Sequence, residues 1–451
     1  MSDDDDYNFC APGDYPIGYP NSEQSQFLSA IKTKNENSLR QFFHQWGTKS
    51  GYFYKSLSMM ELTAEADFEK GIEILLEMGL NPNDIAYDGS MHALDYAILN
   101  DNLNMAKLLL KKGANPNGTF KYSTDSRFEP KTKCSLGLAI EMDSPLLVRQ
   151  LLKKGANPNA THNDEPLTVL ATRKAHPCVI DLLAQKGADI NAQDKDGNTA
   201  LHIAALNGNI RLVKKLIERH HANTIIQNHN KDLPMHMAMQ NPNFEVLRLL
   251  QKHGTPIYQE NIGKESVASL AVKSNNSEIL NTVFHWLHPH ESVYFKDPMI
   301  NSLIPVAIQS KSPVSTALLL RLIPDLNAPI YEGKNPLQYI CERGDEQQLK
   351  ILSEFGDQID INKQDNLGDT ALHYACNRQN KQMVSMLLAK GANAAIKNHF
   401  GEDSLVIAKK TNNPDFLNFV KEAINTSNKA RLITKQSPTK LPLNKNNRQN
   451  Y

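Results

Sequence analysis

Asp194-Lys-Asp-Gly-Asn-Thr-Ala-Leu-His-Ile-Ala-Ala-Leu-Asn-Gly-Asn-Ile-Arg-Leu-Val-Lys-Lys-Leu-Ile-Glu-Arg-His-His-Ala-Asn223 is the stretch from which the fold of this 451-residue chain is read. Asp194 to Gly197 is turn chemistry, with Gly197 free to take a positive φ. Thr199 is placed to cap a helix whose slim apolar face is Leu201, Ile203, Ala204 and Ala205. Gly208 and Asn209 turn the chain back. Ile210, Val213, Leu216 and Ile217 then recur at the three-and-four spacing of a second amphipathic helix. Helices this short cannot bury their apolar faces alone, so the unit needs neighbours built like itself.

The pattern recurs from Asp365 to Asn393, through Gly368, Thr370, Ala371, Leu372, His373, Ala375, Leu387, Leu388, Gly391 and Ala392. These residues resemble the ankyrin repeat: a turn, a Thr-Pro-Leu-His-x-Ala-Ala phrase, a second helix ending Leu-Leu, then Gly-Ala. With Ala204 as phase marker, the equivalents are Ala30, Thr63, Ala97, Ala139, Ala171, Ala238, Ala271, Ala307, Ile340, Ala375 and Ala408. Successive spacings are 33, 34, 42, 32, 33, 34, 33, 36, 33, 35 and 33. The resemblance implies an all-α ankyrin-repeat solenoid of about 11–12 stacked helix–turn–helix units with projecting hairpin loops, spanning residues 23–424.

Residues 1–22 hold five aspartates and three prolines with little periodic apolar content, and read as a loosely attached arm. The first unit is heavy in aromatics (Phe42, Phe43, Trp46), as a capping repeat is expected to be. The last, around Ala408, ends at Phe416, Phe419, Val420 and Ile424. Residues 425–451 carry six basic side chains and no acidic one, and read as a basic disordered tail. Two insertions interrupt the period: 118–133, with Phe120, Tyr122, Arg127 and Phe128, and 285–299, with Trp286, His288, His290 and Tyr294. Loops that project from a stack often carry specificity.

Lysine plus arginine equals aspartate plus glutamate at 49 each, so net charge supplies no overall pull toward nucleic acid or membrane. Cys10, Cys134, Cys178, Cys341 and Cys376 are scattered, without metal-type spacing, which favours a reducing compartment over a disulfide framework. No run is long enough to span a membrane, and the acidic start is unlike a secretory signal. A cytoplasmic protein without a cofactor is the expectation.

Several constellations are candidates for chemistry. His285-Trp-Leu-His288-Pro-His290-Glu291 is the densest ligand cluster, but the tight spacing around a proline disfavours joint coordination of zinc. Cys341 and Cys376 share a phase that wants a small apolar residue. His202, His236 and His373 share another, which the resemblance assigns to hydrogen bonding between turn and neighbour. His220 stands where the helix-terminal glycine is expected. Gly263-Lys264 lacks the preceding glycine of a phosphate loop. The resemblance also implies that Asn191, in Leu183-x5-Asp189-Ile190-Asn191, is a candidate substrate for a partner asparagine hydroxylase.

The function expected is therefore a non-enzymatic scaffold that binds a partner protein through hairpin tips and concave face. Read by phase, the last three tips are Tyr331-Glu332, Asn366-Leu367 and His399-Phe400. Tyr331, Leu367 and Phe400 are expected to line up as a contiguous sticky strip, with Arg343 and Arg378 in its polar rim and Tyr122 and Phe128 as further contacts. The alternative is an enzyme or pseudo-enzyme with a cryptic site in residues 255–330. The irregular array, rich in lysine and asparagine, also resembles ankyrin-repeat effectors that intracellular bacteria deliver into host cells; that resemblance implies secretion without a classical signal.

Overall fold

The computed structural model describes residues 22–47, 58–85, 90–122, 131–287 and 298–436. The chain divides into two compact units, Met1–Thr255 and Pro256–Tyr451. The arm expected over 1–22 lies outside the described residues except for Ser22.

The first unit is a stack of helix pairs: α1 (Ser22–Lys32) with α2 (Glu36–Trp46), α3 (Met59–Glu65) with α4 (Glu69–Glu77), and α5 (Ala93–Leu99) with α6 (Leu103–Lys111). It continues through α7 (Ser135–Glu141) with α8 (Pro145–Lys153), and α9 (Leu167–Arg173) with α10 (Pro177–Gln185). The last two pairs are α11 (Ala200–Leu206) with α12 (Ile210–Lys214), and α13 (Pro234–Ala238) with α14 (Phe244–Lys252). The second unit repeats the plan with α15 (Val267–Lys273) and α16 (Ser277–Leu287), then α17 (Pro298–Gln309) and α18 (Pro313–Leu322). Three pairs complete it: α19 (Pro336–Arg343) and α20 (Glu346–Ser353), α21 (Ala371–Asn377) and α22 (Lys381–Ala389), α23 (Ser404–Lys410) and α24 (Pro414–Gln436).

Each phase marker falls in the first helix of a pair and is buried, from Ala30 at 1% exposure to Ala408 at 0%. Alanine recurs there because successive first helices press against each other and leave room for little more than a methyl group. Several second helices start on asparagine caps: Asn35, Asn102, Asn209 and Asn380 each accept from the backbone N–H three residues on. Residues 255–330 contain α15 to α18 in phase with Ala271 and Ala307. The different fold required by the cryptic-site reading is therefore not found in the described part of that stretch.

Three boundaries differ from expectation. The 118–133 insertion is partly a β-hairpin, β1 (Thr119–Tyr122) antiparallel to β2 (Lys131–Cys134), with Phe120 buried; residues 123–130 lie outside the described residues. The 285–299 insertion is shorter at both ends, because α16 runs through His285 and Trp286 to Leu287 and Pro298 starts α17. At the other end of the chain, helix continues past the expected boundary at 424 to Gln436. Ser427 Oγ donates to Leu388 O at 3.0 Å, so the segment read as tail begins as helix packed on α22.

The sixth unit carries one residue too many between Asn209 and Ala222. The extra residue is absorbed by a π-helical turn at Lys215–Arg219. As a result His221, with φ +53°, takes the left-handed helix-terminal position, and His220, with φ −110°, does not. The sequence reading placed this role on His220, one residue early. Freed from it, His220 reaches Asp181 Oδ1 at 2.8 Å.

Candidate protein-binding surface

The hairpin tips owe their shape to one acceptor side chain. Asp365 Oδ1 accepts from the N–H of Leu367 and of Asp369, both at 2.9 Å, and Asn398 Oδ1 accepts from Phe400 and Glu402, both at 3.0 Å. Asp194 and Asn228 do the same in the first unit. Aspartate and asparagine suit this position because their carbonyl oxygen reaches the amides two and four residues on.

The tips of the last two repeats are then tied together. His399 N–H donates to Leu367 O at 3.0 Å, and Asn398 Nδ2 donates to Asp369 Oδ1 at 2.9 Å. Gly368, with φ +79°, lies against this seam; a Cβ there would sit 2.8 Å from the His399 nitrogen. Leu367 and Phe400 project from the fixed backbones at 50% and 72% exposure. Asn366 and His399 are exposed beside them.

Tyr331 does not join them as expected. Its loop is anchored by Ile330, whose side chain offers no acceptor. The chain turns instead through two positive-φ residues, Glu332 (+49°) and Gly333 (+77°), closed by Lys334 N–H donating to Tyr331 O at 2.8 Å. Counting from the closing bonds Ile330–Lys334 and Asp365–Asp369, Tyr331 is equivalent to Asn366 and Glu332 to Leu367. The strip of three apolar tips is therefore a pair plus an offset ring. That ring leans on the buried Tyr339, centroids 5.5 Å apart, though Tyr331 stays 45% exposed.

Side chains near these tips form a connected polar network. Lys334 Nζ lies 3.3 Å from Glu332, 3.1 Å from Glu342 and 5.4 Å from the Tyr374 ring centroid. Burial alone would lower the Lys334 pKa, but its hydrogen bonds to Glu342 and Glu332 outweigh this and raise it. Tyr374 Oη donates to Asp365 Oδ2 at 2.5 Å, and burial with that carboxylate pushes its pKa up. Arg378 Nη1 donates to Gly344 O at 2.8 Å, tying one repeat to the previous one, and Arg343 is exposed near Glu342 at 3.8 Å. Both arginines remain exposed at this edge.

Other sequence candidates fall elsewhere. Tyr122 contributes backbone pairing to Lys131, and Phe128 lies outside the described residues, as do His288 and His290. Among the described residues no group of three His, Cys, Asp or Glu comes together as a metal set. Burial pushes Cys341 and Cys376 up to about 12, the behaviour of packed thiols. Asn191 is one rung of a ladder between repeats: its Oδ1 accepts from Asn223 N–H at 2.9 Å, as Asn83 does from Asn115 and Asn362 from Asn393.

The shared histidine phase is a buried polar bridge. His202 Nδ1 accepts from Thr199 N–H at 3.2 Å, leaving Nε2–H to donate to Asp232 O of the next hairpin at 3.0 Å. Burial lowers the His202 pKa, favouring the neutral ring this arrangement uses. His373 repeats it with Thr370 and Glu402 O. Other residue types do the same work and were missed. Gln338 accepts from Asn335 N–H and donates to Lys363 O and Asp369 O. In the early repeats the position is a carboxylate, which can only accept, so the next hairpin must donate. Ser90 Oγ donates to Glu61 at 2.7 Å and Ser135 Oγ to Asp95 at 2.5 Å. Gly137 has no side chain there. His162 from the following hairpin fills the gap, its Nδ1 accepting from Cys134 N–H at 3.2 Å.

Models of ankyrin repeats match residues 136–228, 204–292 and 304–398, and a single-repeat model matches 91–119. Among curated proteins, the chain is 27% identical over 206 residues to a transient receptor potential cation channel subfamily A member 1 homolog of Caenorhabditis elegans. It is 30% identical over 211 residues to inversin of Canis lupus familiaris; each of these matches covers 46% of this chain and 16% of the relative. The B-cell lymphoma 3 protein of Homo sapiens is 26% identical over 258 residues, 56% of this chain and 55% of its own. The chain thus spans about a sixth of the first two relatives and about half of the third. The crystal structure of the human ASB11 ankyrin repeat domain matches with a TM-score of 0.39 at 24% identity, over 47% of this chain and 90% of that one. With family models covering more than half of its residues, this chain belongs to the ankyrin-repeat family.

Proposed function

We propose that this protein is a protein-binding scaffold whose second unit grips its partner through the tips at Leu367 and Phe400. The observation that carries this reading is the pairing of two exposed apolar side chains on backbones already locked to each other. Fixing the loops before the partner arrives reduces the ordering cost of association, and an apolar pair inside a polar rim is the usual anatomy of a contact centre. Asn366, His399, Arg343 and Arg378 supply rim hydrogen bonds, and Tyr331 contributes from the side. The resemblance to delivered effectors rests on composition, and the protein-binding reading does not depend on it.

The test compares partners recovered by the intact chain and by Leu367→Ser/Phe400→Ser, followed by titration of each recovered protein against both. A partner whose affinity drops on the double change supports the reading. Partners recovered and bound equally by both contradict it.

A further inference from the structure

The chain as a whole is neutral, yet two neighbouring second helices of its first unit carry bases and no acid. The second helices α6 and α8 read Leu-Asn-Met-Ala-Lys-Leu-Leu-Leu-Lys and Pro-Leu-Leu-Val-Arg-Gln-Leu-Leu-Lys, each with two bases and no acid, and each is followed by a further lysine, Lys112 and Lys154. Those bases are exposed. The hairpins beside these helices carry Asp164, Glu165, Asp189, Asp194 and Asp196, and the second helix α4 carries Glu69, Glu73 and Glu77. The one acid on α10, Asp181, is already covered: Lys215 Nζ approaches at 2.8 Å, Arg219 Nη1 at 3.2 Å and His220 Nε2 at 2.8 Å.

Between α8 and α10 this face opens into a groove of about 440 Å³. Pro145, Leu152 and Leu182 contribute apolar lining, and Arg149, Lys153 and Lys186 contribute exposed bases. We propose that this groove is a second docking surface, separate from the tips of the second unit, and that its occupant is an acidic polypeptide segment bearing an apolar anchor residue. Charge complementarity selects an anion, and the apolar lining selects one with a side chain to bury. Phosphate-bearing polymers satisfy only the first half. The helices α6, α8, α10 and α12 carry no aromatic residue, whereas single-stranded nucleic acid is held by aromatic stacking and membrane interfaces by aromatic anchors.

The test uses the full chain and a labelled peptide of repeated Glu-Glu-Leu triplets, followed by fluorescence anisotropy. A Glu-Glu-Ser peptide of the same charge, phosphatidylserine–phosphatidylcholine vesicles and duplex DNA serve as competitors. The expected result is salt-sensitive binding of the Glu-Glu-Leu peptide, weaker binding of the Glu-Glu-Ser peptide, and affinity at least about tenfold lower in Arg149→Glu/Lys153→Glu/Lys186→Glu. The neutral variant Arg149→Gln/Lys153→Gln/Lys186→Gln gives the same direction if the reversal variant folds poorly. Equal affinity of wild type and the neutral variant, or no peptide binding, overturns the proposal. So does displacement by vesicles or DNA that themselves bind more tightly and lose affinity in the same variants.

Discussion

The N–H of His399 donates to the carbonyl of Leu367 across 3.0 Å, so the tip carrying one exposed apolar residue is hydrogen-bonded to the tip carrying the next. Glycine makes that approach possible. Gly368 and Gly401 have nearly the same positive φ, +79° and +76°, but a Cβ at 368 meets the His399 backbone while one at 401 meets nothing within 4 Å. Gly401→Ala is expected to cost about 1 kcal/mol for the left-handed conformation alone. Gly368→Ala should cost roughly 2–3 kcal/mol, since strain and collision add. Urea unfolding of both variants checks the difference; equal losses contradict the seam.

The His162 ring occupies the space that a side chain at Gly137 would need. His162→Ala leaves the Cys134 N–H without its acceptor and should destabilise the first unit by about 1–3 kcal/mol. Gly137→His alone collides with the ring. The double variant Gly137→His/His162→Ala restores the arrangement seen at His202 and should recover part of the loss, measured by thermal unfolding. A double variant no more stable than the poorer single variant contradicts the substitution of one histidine for the other.

The same two cases show what the sequence makes legible. The marker alanines can be counted because close packing admits few residue types at one phase. The polar bridge has no such uniform signature: Glu61, Asp95, Gln338 and His162 satisfy the same backbone groups through different chemistry. Glutamine reaches as far as histidine and can both accept and donate, so Gln338 was findable from its phase. His162 was not, because its partner lies in the preceding repeat. The offset of Tyr331 is legible in the tip pairs themselves, where it stands first, level with Asn366, while Leu367 and Phe400 stand second. Helix α24 outran its expected end because polarity was read as disorder, although residues 425–436 contain neither glycine nor proline.

Glu141 gives a pH signature. Burial would raise its pKa, but His162 at 3.2 Å and Lys133 at 2.9 Å lower it from 4.5 to about 2. A carboxylate depressed by folding contributes stability that is present above its unfolded pKa and disappears as pH falls through the folded one. Stability should therefore fall between pH 4.5 and about 2 more steeply in the wild type than in Glu141→Gln. Denaturant midpoints across that window decide; parallel curves contradict the pairing.

His221 and His220 make a contrasting pair around the π-turn. His221→Gly relieves a left-handed φ and should raise stability by about 1 kcal/mol. His220→Gly removes the Asp181 contact and adds backbone freedom, and should lower it by about 1 kcal/mol or more. The opposite ordering in calorimetry would restore His220 to the helix-terminal position.

The most direct measurement of the central claim is the affinity of an identified partner for the intact chain, Leu367→Ser/Phe400→Ser, and Tyr331→Ser, at unchanged thermal stability. Loss of two central apolar contacts should weaken binding by about 2–4 kcal/mol, and the offset tyrosine by less than about 1 kcal/mol. Affinity unchanged in the double variant, or a larger loss in Tyr331→Ser, would contradict the assignment of the grip to Leu367 and Phe400.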